Sequence, residues 1–191
     1  MNFRLSANLI LITLLISRLW AEEKSSPLGD TKPAFAFNGI NYFHRWSAEH
    51  QHEFTPDKQD NLKTWSEMMT VNLYPDVHDG EHLATIANSV LENYKSHRAM
   101  VLKTNSIPRT PDRPAEHFIA VLFPQHDFIE VAFGRFKLVD GTGCSCVFSH
   151  RIYGEKVGDQ MSAWLKTNAP ATEKALMDWT AIPKPALLSK P

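Results

Sequence analysis

The sequence predicts a single α+β domain, an antiparallel β-sheet flanked by an amphipathic helix and a C-terminal helix. Three observations carry this. Short apolar or alternating segments recur between turn residues along most of the chain, the pattern of strands. One long stretch places Leu83, Ile86, Ala87, Val90, Leu91 and Tyr94 on a single helical stripe. The composition, 43% hydrophobic and 21% charged over 191 residues, is that of a globular chain and excludes disorder, collagen-like sequence and a disulfide-dense mini-domain.

The elements follow in order. Asn38-Gly39 between apolar stretches is a two-residue hairpin signal within Phe35 to Trp46. Thr55-Pro56-Asp57 reads as a helix cap followed by proline at the first helical position, with Leu62, Trp65 and Met69 on one face. Met69, Val71 and Leu73 alternate as a strand up to Pro75. Asp79 then caps the long helix, with Glu81 in its first turn. Residues 100–107 read as a strand. Residues 118–123 are apolar on both faces and suit a central strand, on which the sheet is expected to centre. Strands at 128–138 and 144–153 are joined by a hairpin turn in Asp140-Gly-Thr-Gly143. Asp159 caps a final helix with Met161, Trp164 and Leu165 inward. Pro170 should break or kink that helix before a last segment carrying Leu176 and Trp179.

The ends of the chain carry its address. Arg4 gives a small positive start, residues 5–16 are an apolar run, and Ala21 offers a small residue for cleavage. Residues 1–21 therefore read as a Sec-type bacterial export signal, and the protein as periplasmic or secreted. Left uncleaved, the same stretch would be an N-terminal anchor, although a run of about a dozen residues is short of the roughly 20 a bilayer needs. Removing it takes away two arginines and no acid, leaving 18 basic against 21 acidic residues. A slightly acidic chain does not suit non-specific nucleic-acid binding, which needs excess lysine and arginine. None of the ten Asn residues has Ser or Thr two places on, so N-glycosylation is excluded and a bacterial source favoured. Residues 22–33 are a polar linker, 34–181 the folded domain, and 182–191 a proline-rich tail expected to add no helix.

This order of elements resembles the PsbP-like fold group, which includes the photosystem II extrinsic protein, a Ran-binding nuclear protein and several bacterial envelope proteins. The resemblance is one of layout, including the strand that ends in Tyr74-Pro75. Phe43-His-Arg-Trp-Ser47, Gln51-His-Glu-Phe-Thr-Pro56, the segment from Arg109 to Phe118, and Ser149-His-Arg-Ile-Tyr-Gly154 are also similar to an uncharacterised family of small secreted bacterial proteins. That family has no assigned activity, so the resemblance implies location and architecture but no catalytic residue and no cofactor.

No Gly-x-Ser-x-Gly, His-Glu-x-x-His, phosphate-binding glycine loop or Cys-x-x-Cys occurs. Three constellations remain. Asp76, His78, Asp79, Glu81 and His82 offer five metal-ligand types in seven residues, against the plainer reading of a loop entering a capped helix. Cys144 and Cys146 share one face of a strand. Two buried thiols, a strained disulfide between Cα atoms about 6.5 Å apart, and a soft-metal pair are all open to them.

The third constellation surrounds the meander. Turns near residues 125 and 141 would place His117 beside Phe133, and Phe133 beside His150. The histidines would then stand roughly 10 Å apart, with Glu116 and Arg151 on the opposite face of the same row. Arg109 and Arg113 precede them on a loop stiffened by Pro108, Pro111 and Pro114. Together these six residues make the expected binding surface, for an envelope protein or an anionic ligand. The expected function is thus that of an exported, non-enzymatic binding or accessory protein. A small-ligand or metal-binding periplasmic module is the alternative, and a hydrolase comes after that.

Overall fold

The computed structural model describes residues 32–188. The expected export signal, nearly all of the linker and the last three residues of the tail lie outside them. The sheet opens with β1 (Phe35–Phe37), β2 (Ile40–Ala48), β3 (Gln51–Pro56) and β4 (Glu67–Tyr74). Helix α1 (Gly80–Ser96) follows, then β5 (Met100–Ile107), β6 (Glu116–Pro124), β7 (Phe128–Val139) and β8 (Thr142–Tyr153). Helix α2 (Gly158–Asp178) and the short α3 (Pro185–Leu188) complete the chain. All eight strands form one antiparallel sheet in the order β1-β2-β3-β4-β8-β7-β6-β5.

One helix covers each face of this sheet. Helix α1 lays Leu83, Ala87, Val90 and Tyr94 over Ile119, Val121, Phe123, Ala132, Phe136 and Val147. Helix α2 and the segment after it lay Met161, Leu176, Trp179 and Ile182 over the other face, against Phe118, Phe133, Cys146, Phe148 and Met69. Alternation along β6 sends its odd residues to the first core and its even residues to the second. The α+β class therefore stands.

Two turns follow from their residues. Phe37 pairs with Ile40 and Val139 with Thr142. Asn38-Gly39 and Asp140-Gly141 therefore each close a hairpin in two residues, all four at positive φ. That is the turn whose twist matches the strands, and Asn-Gly and Asp-Gly reach it at least cost. Asp79 caps α1 as expected, its carboxylate accepting from the backbone N–H groups of Glu81 and His82 at 2.9 Å each.

Other expectations give way. The short helix after Thr55 is replaced by β3 and a loop. Phe54 pairs with His44 on one side and Met69 on the other, and is almost wholly buried. Thr55 donates its hydroxyl to the Gln59 carbonyl and accepts from Arg45 Nε at 2.9 Å, so it caps no helix. The Gln59 side-chain oxygen then holds the loop by accepting from the backbone N–H groups of Ser66 (2.8 Å) and Glu67 (2.9 Å). Strand β6, though buried on both faces, is second from the edge; β4 and β8 occupy the middle.

Helix α2 runs through Pro170 unbroken. The missing N–H frees only the carbonyl one turn back, at Lys166, and both residues are on the solvent side. Its cap position is Val157 rather than Asp159, which instead sits in the first turn where the helix dipole favours an acid. The expected tail also contributes structure, because Ile182 is buried in the core and residues 185–188 make one helical turn.

Candidate functional site

Strand β5 ends the sheet and pairs only with β6. Its residues from Met100 to Ser106 are all exposed. Met100, Val101 and Leu102 show 56%, 41% and 43% of their surface to solvent, an apolar run on an open strand edge. Natural edges are usually blunted by charge or irregularity. Here a register shift falls between Val101 and Lys103. Lys103 is drawn onto the sheet face instead of guarding the edge, its ammonium 2.8 Å from each oxygen of Glu173 on α2.

The chain leaves β5 through the proline loop at 108–115. Thr110 and Arg113 exchange backbone hydrogen bonds across Pro111-Asp112, at 2.8 and 3.3 Å. Proline at the second position of such a turn fixes its φ in advance. Arg109 and Arg113 are exposed on this loop, and among the described residues neither guanidinium has an ion-pair partner.

The remaining members of the expected surface go elsewhere. Glu116 is buried in an ion pair with Arg135, whose Nε and Nη2 stand 2.8 and 2.7 Å from its Oε2. The same guanidinium donates to the carbonyls of Leu176 (2.9 Å) and Trp179 (2.8 Å), capping the end of α2. Arg151 is equally buried. It pairs with Glu130 at 2.7 Å and lies over the rings of Trp65 (3.9 Å) and Phe128 (4.3 Å). Burial pushes the Glu130 carboxyl up, with Arg151 pulling it back.

His117 pairs with Phe136 and not with Phe133, and His150 pairs with Val131. The first pairing is displaced by three residues from the expected register and the second by two. The histidines still flank β7 but oppose residues five apart along it and lie on opposite faces, and Glu116 and Arg151 do not share a row. His117 exchanges a 2.9 Å hydrogen bond with Ser106 on β5 while its Nε2 is buried without a partner, and burial holds its pKa below the ordinary value.

The two metal candidates separate as well. Asp79 is occupied in capping α1 and accepts from His82 Nδ1 at 2.7 Å, while His78 donates to the Gly141 carbonyl at 2.9 Å. Asp76 is exposed beside them. Cys144 and Cys146 are unbridged and buried in the core under α2. Among the described residues no three His, Cys, Asp or Glu side chains gather at metal-holding distance.

A cleft at the other end of the sheet was not anticipated. It lies between the β1–β2 hairpin, the start of β4 and α2, has a volume of about 90 Å³, and is lined by Tyr42, Glu67, Phe148, Trp164, Asn168 and Thr172 among others. Tyr42 pairs with Pro56 on β3, and Glu67 with His150 on β8. Burial pushes the Glu67 carboxyl up, opposed by the nearby Tyr42 hydroxyl. That hydroxyl is buried without a partner in hydrogen-bond geometry, and burial followed by the Glu67 charge raises its pKa. One signal for this cleft was present in the sequence: Trp164, Asn168 and Thr172 recur at four-residue spacing and put two polar groups on the inner stripe of α2.

Fold and surfaces define a one-domain α+β protein with an open sheet edge. No protein-family model matches the chain, and no curated protein matches it in sequence. The likeness to a secreted bacterial family thus has no counterpart in these comparisons. Among solved structures, the 1.9 Å crystal structure of the Ran-binding protein Mog1p from Saccharomyces cerevisiae is similar, with a TM-score of 0.46 and 9% identity. The match covers 77% of this chain and 90% of that one. A likeness at that distance says nothing about what this chain binds. Among the described residues, no helix is long and apolar enough to cross a membrane.

Proposed function

We propose that this is an exported, non-enzymatic binding protein of the cell envelope, and that it takes an extended, acidic segment of a partner protein along β5. The observation that carries the reading is the open β5 edge, with Met100, Val101 and Leu102 exposed and two unpaired arginines on the loop that follows. An added strand gains main-chain hydrogen bonds from an edge, while alternate side chains supply selectivity. The arginines favour a segment carrying carboxylates, and a proline-stiffened loop loses little entropy on binding. The apolar stretch at 5–16 supports the export part of the reading.

A photocrosslinker placed at residue 102 in the native host tests the edge, with the same group at exposed Asp57 as the control. The edge should give a defined envelope adduct that Val101→Lys abolishes. The double change Arg109→Ala with Arg113→Ala should weaken capture several-fold and reduce its salt sensitivity. Equal adduct yields from both sites, or capture indifferent to these variants, would overturn the reading. A homodimer that dissociates in Val101→Lys would mean that a second copy, and not a partner, covers the edge. Mature protein should begin at Glu22 in the periplasm or medium, and an intact Met1 on soluble cytosolic protein would sink the export claim.

A further inference from the structure

The cleft at the β1–β2 hairpin sets one carboxylate, that of Glu67, among neutral polar groups and an apolar wall. No lysine or arginine lines it, and among the described residues the Glu67 carboxylate has no ion-pair partner. The Tyr42 hydroxyl is buried there beside the Glu67 carboxylate, towards which it can donate, and its oxygen lone pairs are unused. Asn168 spends its amide N–H on the Trp164 carbonyl at 3.0 Å. That bond fixes the amide orientation, because a carbonyl needs a donor, and leaves the Asn168 oxygen as an acceptor. Phe37, Phe148 and Trp164 supply apolar wall.

We infer that this cleft binds a primary ammonium group at the end of an alkyl stem, held by Glu67, Tyr42 and Asn168. The chemistry matches in three ways. An alkylammonium carries one positive charge for the one uncompensated carboxylate. It has three N–H donors for the three acceptors, and no acceptor that would be stranded. Its methylenes suit the aromatic wall, as lysine stems do on apolar surfaces. A hard divalent cation would be poorly served by a single carboxylate among aromatic rings, and an anion would meet the Glu67 carboxylate with no lysine or arginine to offset it. The ammonium is either a lysine side chain or a small free amine. None of its lining residues belongs to β5 or to the proline loop, so it stands or falls independently of the edge.

Titration of the full folded chain with n-butylammonium chloride, followed by NMR at the Trp164 indole N–H, tests the assignment. A saturable shift is expected, at least tenfold weaker for the neutral isostere 1-butanol, and lost in Glu67→Gln. Ile40→Trp provides a second variant. Ile40 lines the cleft and is 41% exposed, so a larger ring there plugs the mouth without burying new polar atoms. It should abolish the shift even if Glu67→Gln fails to fold. A lysine-containing peptide that binds more tightly than butylammonium, and loses this on Nε-acetylation, identifies a side chain as the source. Equal or weaker binding by that peptide identifies a free amine. Equal response to the alcohol, or unchanged titration in folded Glu67→Gln or Ile40→Trp, overturns the inference.

Discussion

The imidazole of His150 lies flat against the indole of Trp164, with ring centroids 4.3 Å apart and planes 8° from parallel. β8 supplies the histidine from the sheet and α2 supplies the tryptophan, so this contact joins two layers of the domain. The His150 Nδ1 is buried without a hydrogen-bond partner. Burial therefore pushes its pKa down to about 4, and the ring is neutral throughout the physiological range.

That neutrality predicts an acid-sensitive fold. The unfolded chain takes up the His150 proton near pH 6.5, whereas the folded chain resists until about pH 4. The stabilisation is complete above about pH 6.5 and is lost progressively down to the folded value. His52 and His117, also lowered by burial, act with the same sign. The raised carboxyls of Glu67 and Glu130 act with the opposite sign, stabilising at low pH and losing this as pH rises through their folded values. A difference measurement separates the terms. Urea midpoints of the native chain and His150→Gln should converge as the pH falls from 7.5 to 4.5; parallel curves would show that His150 is not linked to folding.

Two of the residues expected at the binding surface should instead behave as structural. Arg151 is buried between aromatic rings with Glu130 as its counter-ion. Glu130→Ala leaves that charge uncompensated and should cost about 3–5 kcal/mol. Glu116→Ala should destabilise less, because Arg135 keeps the carbonyls of Leu176 and Trp179. Arg109→Ala, in contrast, should stay within about 0.5 kcal/mol of the native protein. Denaturant unfolding of the three variants checks the order, and a Glu130→Ala protein as stable as Arg109→Ala would contradict the buried pair.

Local chemistry made part of this fold legible. Asn38-Gly39, Asp140-Gly141 and the Asp79 cap each depend on residues adjacent in sequence, and each stands where the sequence predicts it. Thr55-Pro56-Asp57 has the same local form as a helix start; what decides it is the pairing of Phe54 with strands on both sides, which no short window contains. The β6–β7 connection, Gln125-His126-Asp127, lacks a strong turn signature. A register error of three residues there also swaps the faces of the strand, because side chains alternate. That is why Glu116 and Arg151 looked like surface partners of the two histidines. The loop arginines were legible because proline stiffness and exposure are local properties. The cleft was not, since Tyr42, Glu67 and Asn168 come from three separate elements.

The cysteines should be inert in the native state. Cys144 and Cys146 are buried and unbridged. The Cys146 thiol is pushed up by its hydrogen bond with the Cys144 side chain and by burial, which keeps it protonated and unreactive. Labelling by a thiol-specific reagent should therefore proceed at the rate of unfolding and accelerate in denaturant. Rapid labelling of both thiols without denaturant would place them outside the core.

The final prediction sets two cross-strand neighbours against each other. Val101 on β5 and Val121 on β6 are partners in register, yet Val121 is fully buried while Val101 is 41% exposed. Val121 lies in the cluster that Leu83, Ala87 and Val90 of α1 close over. Val121→Asp would place a carboxylate there with no counter-charge in that cluster, and should cost several kcal/mol or unfold the domain. Val101→Asp puts the same charge one strand further out, where water can still solvate it, and should cost about 1 kcal/mol or less. The size of this difference measures how open the edge is. Thermal and urea unfolding of the two variants side by side decide the matter. Equal, severe destabilisation would mean that β5 is covered in the native protein and has no free edge to offer. A large cost at Val121 with a small one at Val101 is the result that an open strand beside a closed core requires.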